Sequence, residues 1–282
     1  MTLPVGLALP TTPKLTRPSA LAELARTAEQ LGYAHLWVSD HVLLPPRSHV
    51  PADHQLDPFA SLAWLAAQTQ RIQLGTSVLV LPYRGAAATA KTLATIYWLS
   101  GGRLIVGVGA GWLRAEFAAL GVPFDERARR TDEAIRALRE LWAGRGELTC
   151  LPAGAPERRG AIPIVVGGSS GAALKRAARI GDGWHPLNLV GSSLSDGIAR
   201  YRAACGDYSR PVGRVLPRLF PPGLEPGPER RVLMGDDPVA ARELLATLNA
   251  AGADELVISW HDADVDVRAV LDRWERFAEA LD

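Results

Sequence analysis

A histidine directly after an acidic residue closes one apolar run of this chain, Leu36-Trp-Val-Ser-Asp40-His41. An imidazole at a strand end can give or take a proton near neutrality, because its ordinary pKa lies near ~6.5. Asp40 and His41 could equally satisfy backbone groups where a strand stops, so position alone leaves both readings open. A second segment, Gly167-Gly168-Ser169-Ser170-Gly171, lies between an apolar run and an alanine-rich one. At a strand-to-helix turn of this kind, backbone N–H groups and two hydroxyls can converge on an anion such as a phosphate. The plainer alternative makes Gly168 or Ser169 a helix cap.

Two further stretches are less specific. Gly75-Thr-Ser77-Val78-Leu79 combines a glycine with small polar residues, which permits a bulge or a strained peptide where a flat ring lies against backbone. Without such a ring it is an ordinary core strand. Gly107-Val-Gly109-Ala110-Gly111-Trp112 holds part of a phosphate-cradling pattern but lacks the third glycine of GxGxxG, so it is a weak dinucleotide fingerprint. Its glycines still allow a ligand to approach the chain closely.

These segments have to be carried by something, and short β-branched runs alternate with helical runs throughout. The expected strands are Val5–Leu9, Leu36–Val38, Ile72–Leu81, Leu104–Val108, Ile162–Val166, Gly183–His185, Val212–Leu219 and Glu255–Ser259. Helical spacing marks Leu21, Leu24, Ala25, Ala28 and Leu31 before Gly32, then a helix capped by Asp57-Pro58, and another over Ala86–Leu99. A short helical piece at Glu116–Leu120 precedes a longer helix with Ile135, Leu138, Leu141 and Trp142. Ala172 to Ala178, the stretch from Asp237-Pro238 to Gly252, and the stripe Val267, Val270, Leu271, Trp274, Phe277 supply the rest. Eight strands alternating with helical runs predict a single (β/α)8 TIM barrel over 1–282, with 144–161 and 221–228 as loop insertions. In such barrels ligands sit at the carboxyl ends of the strands, where all four segments above fall.

Composition narrows the function. With 31 Lys and Arg against 30 Asp and Glu, the formal charge is +1, and no basic run tracks a phosphate backbone, so nucleic acid is not an expected partner. Met1 to Pro10 lacks the pattern of a secretory signal and no apolar run approaches the ~20 residues of a membrane span, so a cytoplasmic location is expected. Cys150 and Cys205 form neither a CxxC nor a metal-ligand spacing, which predicts buried thiols without disulfide or zinc.

Taken together and in order, several motifs resemble the luciferase-like oxidoreductase family, in its coenzyme F420-using branch, across nearly the whole chain. They are Gly6-Leu-Ala-Leu-Pro10; Glu29-Gln-Leu-Gly-Tyr33 leading to Leu36–His41; Thr69-Gln-Arg-Ile-Gln-Leu-Gly-Thr76; Leu99-Ser-Gly-Gly-Arg103 with Val106–Trp112; Glu116-Phe with Gly121-Val-Pro-Phe124 and Arg127; Val166-Gly-Gly-Ser169; and Gly181-Asp-Gly-Trp184. The resemblance implies a deazaflavin (coenzyme F420) or FMN across the barrel mouth. It would place Asp40 against the ring system, Ser77 and Val78 in a bulge with a non-proline cis bond, Gly109, Ala110 and Gly111 along the ring edge, and Gly167, Gly168, Ser169, Ser170 and Gly171 around the phosphate. His41 matches a histidine that donates protons or touches the ring in deazaflavin members. Trp37, Trp112 and Trp184 could wall the site, although Trp37 could equally point into packing. Leu99–Arg103, and Arg127 with Asp132 or Glu133, look structural.

The activity so implied is hydride transfer between the cofactor and a small organic substrate. An FMN-dependent monooxygenase is the alternative, and a flavin-binding barrel without turnover a further one. Sugar-phosphate dehydrogenases of the family carry an acidic residue directly after the fourth-strand glycines. This chain has Trp112 there, which argues against sugar-phosphate oxidation. A homodimer is the family expectation for assembly.

Overall fold

The expected strands are apolar at successive positions, with no alternation of polar residues, which suits a parallel sheet covered on both faces. A computed structural model describes residues 3–9, 15, 17–44, 56–144, 150, 162–220, 238–260 and 266–281. In it the chain runs β1 Val5–Ala8, α1 Pro18–Gln30, β2 His35–Val38, α2 Pro58–Gln68, β3 Gln73–Thr76, β4 Leu79–Val80, α3 Ala86–Leu99 and β5 Leu104–Gly109. It continues α4 Arg114–Ala119, α5 Arg127–Ala143, β6 Ile164–Gly167, α6 Gly171–Ile180, β7 Gly183–His185 and α7 Gly191–Asp207. The remaining elements are β8 Arg214–Val215, β9 Arg218–Leu219, α8 Pro238–Ala250, β10 Leu256–Ile258 and α9 Val267–Ala278.

All the pairings are parallel, in the order β8-β7-β6-β5-β3-β2-β1-β10-β9, with β4 also on β5. The result is an α/β fold with a curled parallel sheet. Its two outermost members, β8 and β9, are consecutive in the chain. Leu216 N–H donates to the Trp184 carbonyl (2.9 Å) on one side, and Val257 N–H donates to the Pro217 carbonyl (2.9 Å) on the other.

Two expected strands are therefore broken. The third divides at Ser77–Val78, where the peptide is cis as the resemblance implied, and a 3-10 turn over Leu81–Tyr83 follows β4. The seventh divides at Leu216-Pro217, because proline has no N–H to continue a ladder. Helix α7 lacked an expectation: its buried residues, Leu194, Ile198, Tyr201 and Cys205, are thinly spread in a Gly/Ser-rich stretch. Ends differ by a residue or two elsewhere. Of the expected insertions, 145–149, 151–161 and 221–228 lie outside the described residues, as does Asp237.

Local chemistry explains the helix ends. The Asp57 carboxylate accepts from Phe59 N–H (2.9 Å) and Ala60 N–H (3.0 Å) with Pro58 at the first position. Gly144 ends α5 in the left-handed conformation at φ 61°. Arg103 spans the α2–β3 turn with bonds to the carbonyls of Ala66, Thr69, Ile72 and Ser100 and to the Thr69 hydroxyl, a structural role. Cys150 and Cys205 are buried and free. No helix among the described residues is long and apolar enough to cross a membrane.

Two cores result. Helix stripes such as Val270, Leu271, Trp274 and Phe277 pack on the outer face of the sheet. Inside its curl lie Ala8, Trp37, Ile105, Val165, Leu216 and Val257, together with buried polar groups. Glycines make the room: a Cβ on Gly6 would lie 1.6 Å from His35 Nδ1, one on Gly75 2.4 Å from the Trp37 ring, and one on Gly107 2.0 Å from the Thr76 carbonyl oxygen. Trp37 Nε1–H donates to His35 Nδ1 (2.6 Å). His35 must then carry its proton on Nε2, which lies 2.7 Å from Glu255 Oε2. Arg214 Nη1 completes the chain at 2.5 Å from Glu255 Oε1.

Candidate functional site

At the carboxyl edge of the sheet is a cavity of about 670 Å³. Asp40, His41, Ser77, Val78, Gly109, Ala110, Gly111, Gly167, Gly168, Ser169 and Ser170 all line it. Gly171 does not; it is the exposed first residue of α6. Residues from four strand exits, far apart in sequence, thus converge on one space.

The floor is the broken third strand. Val78 projects between β5 and β6 because both present glycine: a Cβ on Gly109 would meet Val78 Cγ2 at 2.6 Å and one on Gly167 would meet Cγ1 at 2.4 Å. Ser77 is held from beneath. The His185 Nδ1 proton goes to the Leu216 carbonyl (2.5 Å), since a carbonyl only accepts, so Nε2 accepts from the Ser77 hydroxyl (2.8 Å). Arg218 donates to the Ser77 hydroxyl oxygen (2.8 Å), to the Ser77 carbonyl and to the Ser259 hydroxyl (2.7 Å).

Burial, helped by the Arg218 charge, pushes the His185 imidazole down to about 3 against the pull of the Leu216 carbonyl. The stability consequence has a definite sign. Between the ordinary value of 6.5 and about 3, the unfolded chain binds a proton that the folded chain refuses, so stability falls as pH falls through that window. Wild type is expected to lose on the order of 1–2 kcal/mol between pH 6.5 and 5 from this group. Urea midpoints for wild type and His185→Gln check it, since the variant should lack that part of the slope; parallel slopes would refute it.

At one end of the cavity stands the start of α6. Gly168 adopts φ 114°, its N–H donates to the His185 carbonyl (3.1 Å), and its carbonyl accepts from Trp184 Nε1 (2.9 Å). The Ser170 side chain caps the helix through Ala173 N–H (3.2 Å), so Ser170 is the cap where the sequence offered Gly168 or Ser169. The Ser169 hydroxyl is engaged with both backbone groups of Leu187 (2.7 and 2.9 Å). What the turn offers an anion at the cavity is therefore the amides of Ser170 and Ala172, which have no acceptor within the helix. Arg176 lies on the same wall, tied to Asp132, and Arg127 stacks on Phe124 at 3.9 Å.

At the other end are Asp40 and His41, and they do not pair with each other. Asp40, fully buried, accepts from Arg84 with both oxygens (2.6 and 2.8 Å) and from Val80 N–H (2.9 Å), so its carboxylate joins the β2 exit to the β4 exit. His41 turns the other way, its Nδ1 2.9 Å from Glu116 Oε2. Trp112 is exposed on the rim, edge-on to the His41 ring with centroids 6.4 Å apart. Trp37 and Trp184 are not walls of the site. Trp37 is buried inside the sheet, stacked on His185 at 5.2 Å, and Trp184 packs on Tyr201.

Sequence reasoning missed Tyr83, His185, Arg218 and the connection of Glu116 to His41. The available signal was polar residues inside apolar runs: His185 after Gly-Trp, Arg218 within Leu-Pro-Arg-Leu, and Glu116 in the apolar piece Ala-Glu-Phe-Ala-Ala-Leu.

A curled parallel sheet wrapped by helices, with a cavity at its carboxyl edge, defines the class structurally. The luciferase-like monooxygenase family model matches residues 2–280, and the chain belongs to that family. It is 36% identical over 217 residues to an F420-dependent glucose-6-phosphate dehydrogenase of Kineococcus radiotolerans, covering 71% of this chain and 63% of that one. The chain thus spans less than two thirds of that relative. It is also 36% identical over 181 residues to an FMNH(2)-dependent dimethylsulfone monooxygenase of Pseudomonas fluorescens, covering 57% and 48% respectively. An F420-dependent secondary alcohol dehydrogenase, in complex with an F420-acetone adduct, shares the fold with a TM-score of 0.77 at 18% identity, covering 99% of this chain and 98% of that one. Relatives of both cofactor types are oxidoreductases.

Proposed function

We propose that this protein is a coenzyme F420-dependent oxidoreductase on a single closed (β/α)8 barrel, in which β3 with β4, and β8 with β9, each count as one strand. It moves hydride between the cofactor and a small organic substrate. The observation that carries this reading is the placement, around one cavity, of a backbone bulge cleared by glycines, a helix start whose first amides have no intrahelical acceptor, and a carboxylate-held histidine. That arrangement fits a flat ring with a phosphate-bearing side chain. Val78 and Gly109 to Gly111 would flank the ring, the α6 amides with Gly168 would hold the phosphate, and His41 would face the reacting end. The bound cofactor would supply the hydride chemistry, while the protein binds, orients and manages the proton.

Trp112, in place of an acidic residue, makes the substrate side apolar and disfavours a sugar phosphate. A second reading, an FMN-dependent monooxygenase, is favoured by the likeness to the dimethylsulfone monooxygenase. A cytoplasmic homodimer acting on a small molecule, with no nucleic-acid or membrane partner, completes the proposal. Fluorescence and absorbance titration with coenzyme F420 and with FMN separates the readings: tight F420 binding with turnover supports the first, tight FMN binding the second, and failure with both overturns each.

Gly168→Val tests the phosphate end. The new Cβ would lie 3.1 Å from Ala173 Cβ on a backbone at φ 114°, so the turn must shift and the amides with it. Affinity for the cofactor is expected to fall at least about tenfold, equivalent to ~1.4 kcal/mol. The same titration, run beside a thermal melt, would reject the assignment if affinity held.

A further inference from the structure

Glu116 is the carboxylate that holds His41. It lies on α4, 1% exposed, behind His41. Its Oε1 accepts from Val42 N–H (2.5 Å) and Leu43 N–H (3.0 Å); its Oε2 accepts from the Tyr83 hydroxyl (2.9 Å) and lies 2.9 Å from His41 Nδ1. Burial pushes this carboxyl up, but bonds from His41, the Leu43 N–H, Tyr83 and the Val42 N–H outweigh it and hold the group below the usual carboxylate range. It is therefore ionised near neutrality.

An ionised carboxylate offers only lone pairs, so each neighbour must donate. The two amides and the phenol can do nothing else here. His41 must then carry its proton on Nδ1, and in the neutral imidazole Nε2 keeps a lone pair. We propose that Glu116 is a positioning residue that fixes His41 as its Nδ1–H tautomer, making Nε2 the atom that exchanges a proton with substrate in the cavity. The substrate half rests on the oxidoreductase reading above; the tautomer half does not. Nε2 takes the proton from a substrate hydroxyl in the oxidative direction and returns it to the oxygen in the reductive one. The same carboxylate ties down Val42 and Leu43, so it fixes the backbone beside His41 as well as the ring.

Glu116→Gln reverses the donor pattern at nearly constant size. Its amide oxygen must face the Val42 and Leu43 N–H groups, which turns the NH2 toward His41 and Tyr83. Nδ1 then has to accept, and the imidazole proton moves to Nε2. Long-range 1H–15N correlation spectra of the full chain labelled with 15N-histidine, recorded without cofactor at about pH 9, above the ordinary imidazole range, read this directly. His41 is assigned by its disappearance in His41→Asn.

The expected result is an Nδ1–H pattern in wild type and an Nε2–H pattern in Glu116→Gln. A wild-type Nε2–H pattern overturns the proposal even where the variant does not fold, and an unchanged pattern in a folded variant does the same. With a substrate in hand, Glu116→Gln should lower kcat at least about tenfold, the low end of a proton-transfer contribution, with cofactor affinity kept within about threefold. A raised KM at unchanged kcat would sink the substrate half. Absence of turnover with either cofactor removes the oxidoreductase reading and the substrate half together, while the spectrum still decides the tautomer.

Discussion

His41→Ala is expected to keep the fold and most of the cofactor affinity yet to lose at least about tenfold in turnover, with ~10²–10⁴-fold as the range for a full general acid or base. The reason is geometric: the ring lines the cavity, is held at Nδ1 by Glu116 and contributes nothing to either core. Single-turnover oxidation of reduced cofactor, measured beside a binding titration, separates the outcomes. If affinity collapses while the bound-state rate is unchanged, His41 is a cofactor ligand. If neither changes, it merely ends a strand.

The second large effect is on folding. Gly107→Ala places a Cβ 2.0 Å from the Thr76 carbonyl oxygen. That obstacle is backbone on the neighbouring β3 exit, and the Thr76 hydroxyl is itself bonded to the Gly107 carbonyl at 2.7 Å, so no side-chain rotation relieves the contact. Overpacking of a well-filled interior costs about 1–3 kcal/mol and occasionally more, and this site belongs at the upper end. Chemical denaturation should show a lowered midpoint, or the variant should fail to accumulate as folded protein. Wild-type stability in Gly107→Ala would mean that β3 and β5 separate more easily than their pairing indicates.

The alternation of elements was legible because burial on both faces makes parallel strands uniformly apolar, and the helices between them keep their stripes. Asp57-Pro58 was legible because capping is local. The break at Ser77–Val78 was expected through the family resemblance; the one at Pro217 was not. Pro217 carried a signal, a residue without an N–H inside a strand, that a hydrophobic run masks. Helix α7 hid because glycine and serine dilute its stripe.

At the site, the residues facing the cavity were legible as polar or glycine-rich strand exits. Their partners were not, because pairing depends on which exits the curl brings together. Asp40 and His41 are adjacent in sequence, yet one binds Arg84 and the other Glu116. Strand alternation already turns neighbouring side chains to opposite faces, but it does not name the partners each one meets. Arg218 from β9, His185 from β7 and Ser77 just past β3 meet only through the sheet order.

The interior ladder of Arg214, Glu255, His35 and Trp37 bears on how this sequence can change over generations. The indole N–H sets the His35 tautomer, which puts the proton on Nε2, 2.7 Å from Glu255 Oε2 without a hydrogen bond between them, while Arg214 pairs with the other carboxylate oxygen. Replacing Trp37 alone leaves His35 Nδ1 a buried, unmatched acceptor, at a cost of about 1–3 kcal/mol. Replacing them together by apolar residues of similar volume removes that cost. Drift at these positions should therefore proceed in blocks. In a randomised library selected only for folding, substitutions at His35, Trp37 and Glu255 should co-occur well above the product of their separate frequencies, whereas exposed positions on α8 should vary independently.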